Sequence, residues 1–264
     1  MNPVKAFNNL LSVKNVFDAL GMYFWLDGGT CLGAYKENGF LESDFDVDVG
    51  IFGEDDKKVP QIIEDLKKEG FGYFHLKEHP CGEGKQISCI KHGISLDIFF
   101  YYRRANKRWR LMFDFEMMGT VRYIPCVLPA SLFDKFEVID FMDYGVKFNM
   151  PSPTTEYLGR QYGDWRINKT KDEFHWQSDY KCMDMDFEIF PKPEGKRRWI
   201  LTEKIAGCKE EGENGTFFKN LIKEGYKLFP ISLDKNLRII DGKKRLKAYK
   251  ELKVPMVECY TWTK

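Results

Sequence analysis

The run Asp46-Val47-Asp48-Val49 sets two carboxylates two residues apart. The two-residue period of a strand puts both on one face and both valines on the other. Neighbouring anions repel, so such a pair is stable as anions chiefly with a divalent cation between or beside it, and hard oxygen ligands suit Mg2+ or Mn2+. Leu96-Asp97-Ile98-Phe99-Phe100 offers a third acid, because an aspartate inside an apolar strand needs a partner or a metal. Upstream, Tyr23-Phe24-Trp25-Leu26 reads as a short buried strand that breaks at Gly28-Gly29-Thr30, where two glycines permit a tight turn and close approach to a ligand such as phosphate.

Several elements must position these groups. Val4, Phe7, Leu10, Leu11, Phe17 and Leu20 recur at helical spacing before Gly21, and Val59, Ile62, Ile63 and Leu66 mark a second helix entered through Glu54-Asp55-Asp56. Residues 70–76, 86–90 and 94–102 read as strands joined by Cys81-Gly82-Glu83-Gly84 and His92-Gly93, which puts Asp97 on a hairpin strand. His75, His79, Cys81, Cys89 and His92 crowd this segment, but their spacing matches no common zinc pattern. Five cations surround Trp109 in Arg103-Arg104-Ala105-Asn106-Lys107-Arg108-Trp109-Arg110, which fits either a solvated loop or a dock for an anionic glycan, lipid head group or phosphate. Residues 125–153 alternate apolar runs with turns and lead to a helix for which Thr154 or Thr155 is a candidate cap.

The 264 residues are 43% hydrophobic and 31% charged, enough to fold as one large domain or two modest ones. The longest apolar runs are strand-length, well short of the roughly 20 residues that span a bilayer. With no basic segment and apolar core at the start, the expected location is the cytoplasm, and seven scattered cysteines fit reduced thiols. Residues 195–264 carry 17 Lys and Arg against 9 Asp and Glu, a balance of +8 that leaves −7 on the rest. That division, with Pro191-Lys192-Pro193-Glu194-Gly195 as linker, suggests domains at 1–190 and 195–264. In the second, Phe217, Leu221 and Ile222 look helical, 228–232, 238–240 and 256–260 look like strands, and Leu246, Tyr249 and Leu252 mark a helix.

Gly29-Thr30-Cys31-Leu32-Gly33-Ala34-Tyr35-Lys36, Gly39-Phe40-Leu41 and Asp44-Phe45-Asp46-Val47-Asp48 together resemble the LicD/fukutin family of nucleotidyltransferase-fold enzymes. Pro151, Tyr157-Leu158 and Tyr162-Gly163-Asp164-Trp165 resemble its downstream block, so the likeness covers about residues 10–176. The chain departs at Glu42-Ser43-Asp44-Phe45-Asp46, where the family usually has Pro-Trp-Asp-Asp-Asp. The resemblance implies an α+β fold, a nucleotidyltransferase-like mixed sheet with flanking helices. It also implies a metal-dependent transferase that moves a phospho-alcohol from a CDP-alcohol or other nucleotide donor to a hydroxyl of a glycan or lipid-linked glycan, releasing CMP. Asp46, Asp48 and Asp97 then hold Mg2+ or Mn2+, and Asp97 helps deprotonate the hydroxyl. Gly28, Gly29 and Thr30 cradle phosphate, Lys36 offsets its charge, and Asp164 with Trp165 is placed to reach the acceptor, a packed helix end being the other role for the tryptophan. Asp44 fits either a supporting contact or a loop cap, and Asp27 reads as a turn residue.

Gly225, Pro230-Ile231 and Ile239-Ile240-Asp241-Gly242-Lys243-Lys244-Arg245-Leu246-Lys247-Ala248 are similar to the ParB/sulfiredoxin-like module, whose Asp-Gly-x-x-Arg turn holds phosphate at a helix start. This implies a small C-terminal α/β lobe with Arg245 on an anionic ligand. Two other functions share the sequence features: transfer of a nucleotide from an NTP to a small molecule or protein, and a non-catalytic nucleotide- or DNA-binding regulator. Three acids around one pocket argue against the last and make nucleic acid an unexpected partner.

Overall fold

The computed structural model of the chain describes residues 1–79, 83–115, 121–167, 173, 180–184, 197–206, 219, 222–223 and 231–261. The chain is α+β and divides into two compact units, Met1–Phe187 and Glu188–Lys264. The expected linker at 191–195, Phe217, Leu221, Gly225, residues 228–230 of an expected strand with Pro230 among them, and the turn residues Cys81 and Gly82 lie outside the described residues.

The first unit is built on a seven-stranded mixed sheet: β1 (Phe24–Leu26), β2 (Asp46–Phe52), β5 (Ile94–Arg104), β4 (Gln86–Lys91) and β3 (Gly72–Lys77), in that order. β6 (Lys107–Phe115) pairs with the far end of β5, and β7 (Val121–Pro129) with β6. Only β2 and β5 run parallel, and all other pairings in the sheet are antiparallel. Val47, Val49 and Ile51 are fully buried, as strand alternation requires. The helix α1 (Pro3–Ala19) is capped by Asn2, which accepts from the Lys5 amide, and it buries Ala6, Phe7, Leu10, Val13, Val16 and Phe17. Val4, expected on that face, is exposed. α3 (Val59–Lys68) buries Val59, Ile62 and Leu66.

Three expectations are corrected. Gly28-Gly29-Thr30 is not a loop but the first turn of α2 (Gly28–Glu37), because the Asp27 carboxylate accepts from the Gly28 amide and caps it. The Arg103–Arg110 run is a tight hairpin turning at Ala105, and Arg108 and Arg110 on one face of β6 are buried, as is Trp109 on the other. Its tip lies eight residues beyond Asp97, about 26 Å along the strand at roughly 3.3 Å per residue, so it is not beside the aspartates. Cys126 and Cys182, expected as thiols, form a disulfide across 56 residues; the Val127 amide donates to the Cys182 carbonyl and aligns the two stretches.

β8 (Phe136–Asp140) and β9 (Lys147–Pro151) form a two-stranded sheet that delivers α4 (Thr154–Tyr162). The first amide of α4 is satisfied by Glu137 of β8 rather than by a threonine cap, while the Thr154 hydroxyl donates to the Pro151 carbonyl.

The second unit holds a sheet in the order β10 (Arg197–Leu201), β13 (Met256–Thr261), β11 (Ile231–Leu233), β12 (Ile239–Asp241), with helix α5 (Lys243–Glu251). Ile200, Ile205, Ile231, Leu233, Leu246, Val257 and Cys259 form its core. The sequence reading missed β10, whose Arg-Arg-Trp start hides the single buried Ile200.

Gly50 faces the buried Trp25 indole, and a Cβ there would lie 2.3 Å from Cε2. Since the ring is walled in by Phe52, Tyr101, Phe133 and Phe136, Gly50→Ala should cost about 1–3 kcal/mol in urea unfolding, with an unchanged slope on denaturant.

Candidate active site

The parallel register of β2 and β5 sets Asp48 beside Asp97 and Asp46 beside Ser95, so Asp46, Asp48 and Asp97 share one face of the sheet. One oxygen from each lies within 4.8 Å of the others. On β1's continuation the Asp27 amide donates to the Asp48 carbonyl at 3.1 Å, which extends the row of acids across three strands.

The start of α2 holds this row. The Gly29 amide donates to Asp48 Oδ2 at 3.1 Å, and the Asp48 amide donates to Thr30 Oγ1 at 2.9 Å. The helix N-terminus thus grips Asp48 by an amide and by its dipole. Both glycines are there for space: a Cβ at Gly28 would lie 2.3 Å from Asp48 Oδ2, and one at Gly29 would lie 2.3 Å from Asp44 Oδ2. Gly28 also has φ +49, which an L side chain rarely adopts. Of the donors read as a phosphate cradle, the Gly28 amide is engaged by Asp27 and the Gly29 amide by Asp48, while the Thr30 hydroxyl accepts from the Asp48 amide.

Asp97 accepts a short hydrogen bond from the Ser88 hydroxyl on β4. Burial, more than its neighbours, raises its pKa. Burial likewise raises Asp48 well above the usual range, with Asp46, Asp44 and Asp97 adding to the effect. Asp44 is pushed from 3.8 to about 8 by burial and by Asp46, and its Oδ2 is buried with no hydrogen-bond partner. An orphaned buried carboxylate oxygen beside three converging acids is the donor set of a hard cation. The 4.8 Å spread is near the roughly 3–4 Å between ligands around an ion bound at about 2.1 Å, so these residues fit Mg2+ or Mn2+. Among the described residues His75, His79, Cys89 and His92 form no comparable group, and burial lowers His79 to about 4.

Other expected residues are placed elsewhere. Lys36 sits in the last turn of α2, about 12 Å from its start at 1.5 Å per residue, and donates to the Arg166 carbonyl at 3.2 Å. That end of a helix favours a cation, so its position is explained without a phosphate. Asp164 is exposed and pairs with Arg166 at 3.6 Å, while Trp165 meets Tyr35 edge-on and carries the Arg166 guanidinium 4.8 Å above its ring. Arg245 belongs to the second unit, in the first turn of α5, where Gly242 at φ +95 leaves room for its guanidinium.

Sequence reasoning missed Asp27. It is fully buried and accepts from the Tyr101 hydroxyl at 2.9 Å to each oxygen and from the Tyr157 hydroxyl in a short bond, with Arg110 Nε 3.7 Å away. The available signal was only an aspartate directly after a buried strand, which serves a turn as well as a helix cap.

The metal-free chain should lose stability as pH rises. A carboxyl raised from 3.8 to about 8 in the fold binds a proton that the unfolded chain has released between those values, so the unfolding free energy falls with pH across that window. Melting temperature should be lower at pH 8 than at pH 5 in chelator, and Asp44→Asn should flatten the slope.

The family model of the LicD/FKTN/FKRP nucleotidyltransferase domain matches residues 21–151. A ribitol-5-phosphate transferase FKTN of Mus musculus is 34% identical over 161 residues, which are 60% of this chain and 32% of that protein; the Homo sapiens FKTN is 32% identical over 168 residues, 62% and 34%. An uncharacterized protein of Rickettsia prowazekii is 24% identical over 252 residues, 94% of this chain and 76% of that protein. A solved ParB-N domain overlaps 28% of this chain and 32% of its own at 18% identity and a TM-score of 0.24, too slight a likeness to bear on the fold. The chain spans about a third of the length of the fukutins it matches. Because the match runs through β1, α2 and both aspartate strands, where the site is assembled, this chain belongs to the LicD/fukutin family.

Proposed function

We propose that the chain is a metal-dependent transferase that moves a phospho-alcohol from a CDP-activated donor to a hydroxyl of a glycan. The observation that carries this reading is the convergence of Asp46, Asp48 and Asp97 on one face, in a chain whose fukutin relatives are named ribitol-5-phosphate transferases. The nucleotidyltransferase-like sheet and the small basic ParB-like lobe around Arg245 belong to the same reading, the lobe as a place for an anionic ligand. The Cys126–Cys182 disulfide fits an oxidising compartment better than the reducing cytoplasm. Among the described residues no helix is long and apolar enough to cross a membrane.

Asp46, Asp48 and Asp97 would hold Mg2+ or Mn2+, with Asp44 Oδ2 as a further oxygen at its edge. The ion would supply Lewis acidity at the donor's phosphates. The chain's own residues do the rest. The Gly29 amide and the Ser88 hydroxyl fix the orientation of Asp48 and Asp97. The acceptor's oxygen forms the new bond to phosphorus, the bond to CMP breaks with its electron pair on CMP, and Asp97 takes the hydroxyl proton.

Incubation with Mg2+, a glycan acceptor and a panel of CDP-alcohols, CDP-ribitol included, should release CMP; pyrophosphate from NTPs with no CMP from any CDP-alcohol would mean nucleotide transfer and overturn this reading. Asp48→Ala should lower turnover at least about a thousandfold while the chain stays folded, and full activity at saturating Mg2+ would remove the metal mechanism. Mn2+ should raise the melting temperature more at pH 8 than at pH 5, because protons compete for the same oxygens.

A further inference from the structure

Asp27 stands in the same row as Asp48 and Asp97, yet the site as described gives it no part in the reaction. Its amide is bound to the Asp48 carbonyl, its carboxylate caps the Gly28 amide at 2.8 Å, and the next amide, that of Gly29, holds Asp48 Oδ2. The orientation of a ligating carboxylate therefore hangs on a helix start whose first residue is fixed by Asp27. Two hydroxyls fix Asp27 in turn: Tyr101 from β5, four residues beyond Asp97 on the same face, and Tyr157 from α4. Arg110 of β6 completes the cage, its Nε donating to Tyr101 Oη at 3.0 Å, its guanidinium 4.0 Å above the Phe99 ring. All four polar residues are buried to 1% exposure or less.

We infer that Tyr101 and Tyr157 are positioning residues for metal binding, acting on Asp48 through Asp27, Gly28 and Gly29. The inference rests on the proposed metal site and adds to it a second layer drawn from β5 and α4. Rigidity gives it force. A carboxylate gripped by two hydroxyls, an amide and a neighbouring guanidinium has one orientation, so the helix start and the Asp48 oxygen it holds are preset before the ion arrives. With the hydroxyls gone, Asp27 can turn towards Arg110 alone, and the Gly29 amide loses its fixed place.

The probe is Mn2+, its affinity measured by calorimetry on folded protein for the unaltered chain, Tyr157→Phe, Tyr101→Phe and Tyr102→Phe. Tyr102 is the control: it is buried on the next position of the same strand, and its hydroxyl accepts from the Lys85 amide and reaches Asp56 at 3.3 Å, away from the acid row. Loss of supporting contacts around metal ligands weakens affinity by about 10–100-fold, so Tyr157→Phe and Tyr101→Phe should bind Mn2+ at least about tenfold more weakly, while Tyr102→Phe loses stability but keeps its affinity. Affinity within about twofold of the unaltered chain in both test variants would overturn the inference and leave the metal site standing. An equal loss in Tyr102→Phe would overturn it as well, since the effect would then be one of general packing. If neither test variant folds, the tyrosines are determinants of the fold and the inference falls. No Mn2+ binding by the unaltered chain would remove the metal site and this inference together.

Discussion

Carboxylate repulsion on one face of a sheet is the constraint that the first unit is built around. Asp27, Asp48 and Asp97 stand on three adjacent strands, with Asp46 two residues along and Asp44 beside it. Two unit charges about 5 Å apart at an effective dielectric near 20 repel by roughly 3 kcal/mol, so several such pairs exceed what a domain of this size can carry unrelieved. The surrounding elements each relieve one member. Arg110 and two tyrosines serve Asp27, the start of α2 serves Asp48, and Ser88 serves Asp97. The relief is incomplete at Asp48 and Asp44, both held above the usual carboxylate range by burial and neighbouring acids, and a cation there would gain most.

That relief needs close approach, and glycine provides it. Gly28 and Gly29 let the helix start come within hydrogen-bond distance of the acids, while Gly50, on the same face between Asp48 and Phe52, makes room for the Trp25 indole. Packing and chemistry are thereby joined: the tryptophan that fills the face also backs the strand that presents the ligands.

The legible part of the site was the part set by strand parity. Asp46, Asp48 and Asp97 could be placed on one face from the period of two, because that period needs no knowledge of partners. The helix α2 was not legible, since two glycines at its start lower helix propensity and its cap, Asp27, serves as well in a turn. The Arg103–Arg110 run read as a surface feature because cations usually are; only the partner Asp27, 83 positions away in the chain, explains why Arg110 is buried. Cys126 and Cys182 were equally invisible as a pair, for they are brought together by strand β7 and a stretch 56 residues downstream. In the second unit the strands expected at 238–240 and 256–260 and the helix through Leu246 and Tyr249 lie within a few residues of β12, β13 and α5, while β10 was lost because one buried residue makes no pattern.

The same row also shows why sharing a face does not make every acid a ligand. A carboxylate offers about four lone-pair sites. Asp27 takes three donors, the Gly28 amide, the Tyr157 hydroxyl and the Tyr101 hydroxyl shared between its two oxygens, with the Arg110 guanidinium beside them. An ion would have to displace hydrogen bonds that are buried and geometrically fixed. Asp48 has given one oxygen to the Gly29 amide and Asp97 one to Ser88, so each keeps capacity for a further partner. Asp44 Oδ2 has no hydrogen bond at all. Along a single line of like residues, the number of hydrogen bonds already accepted divides the acid that holds the scaffold from those that can hold an ion.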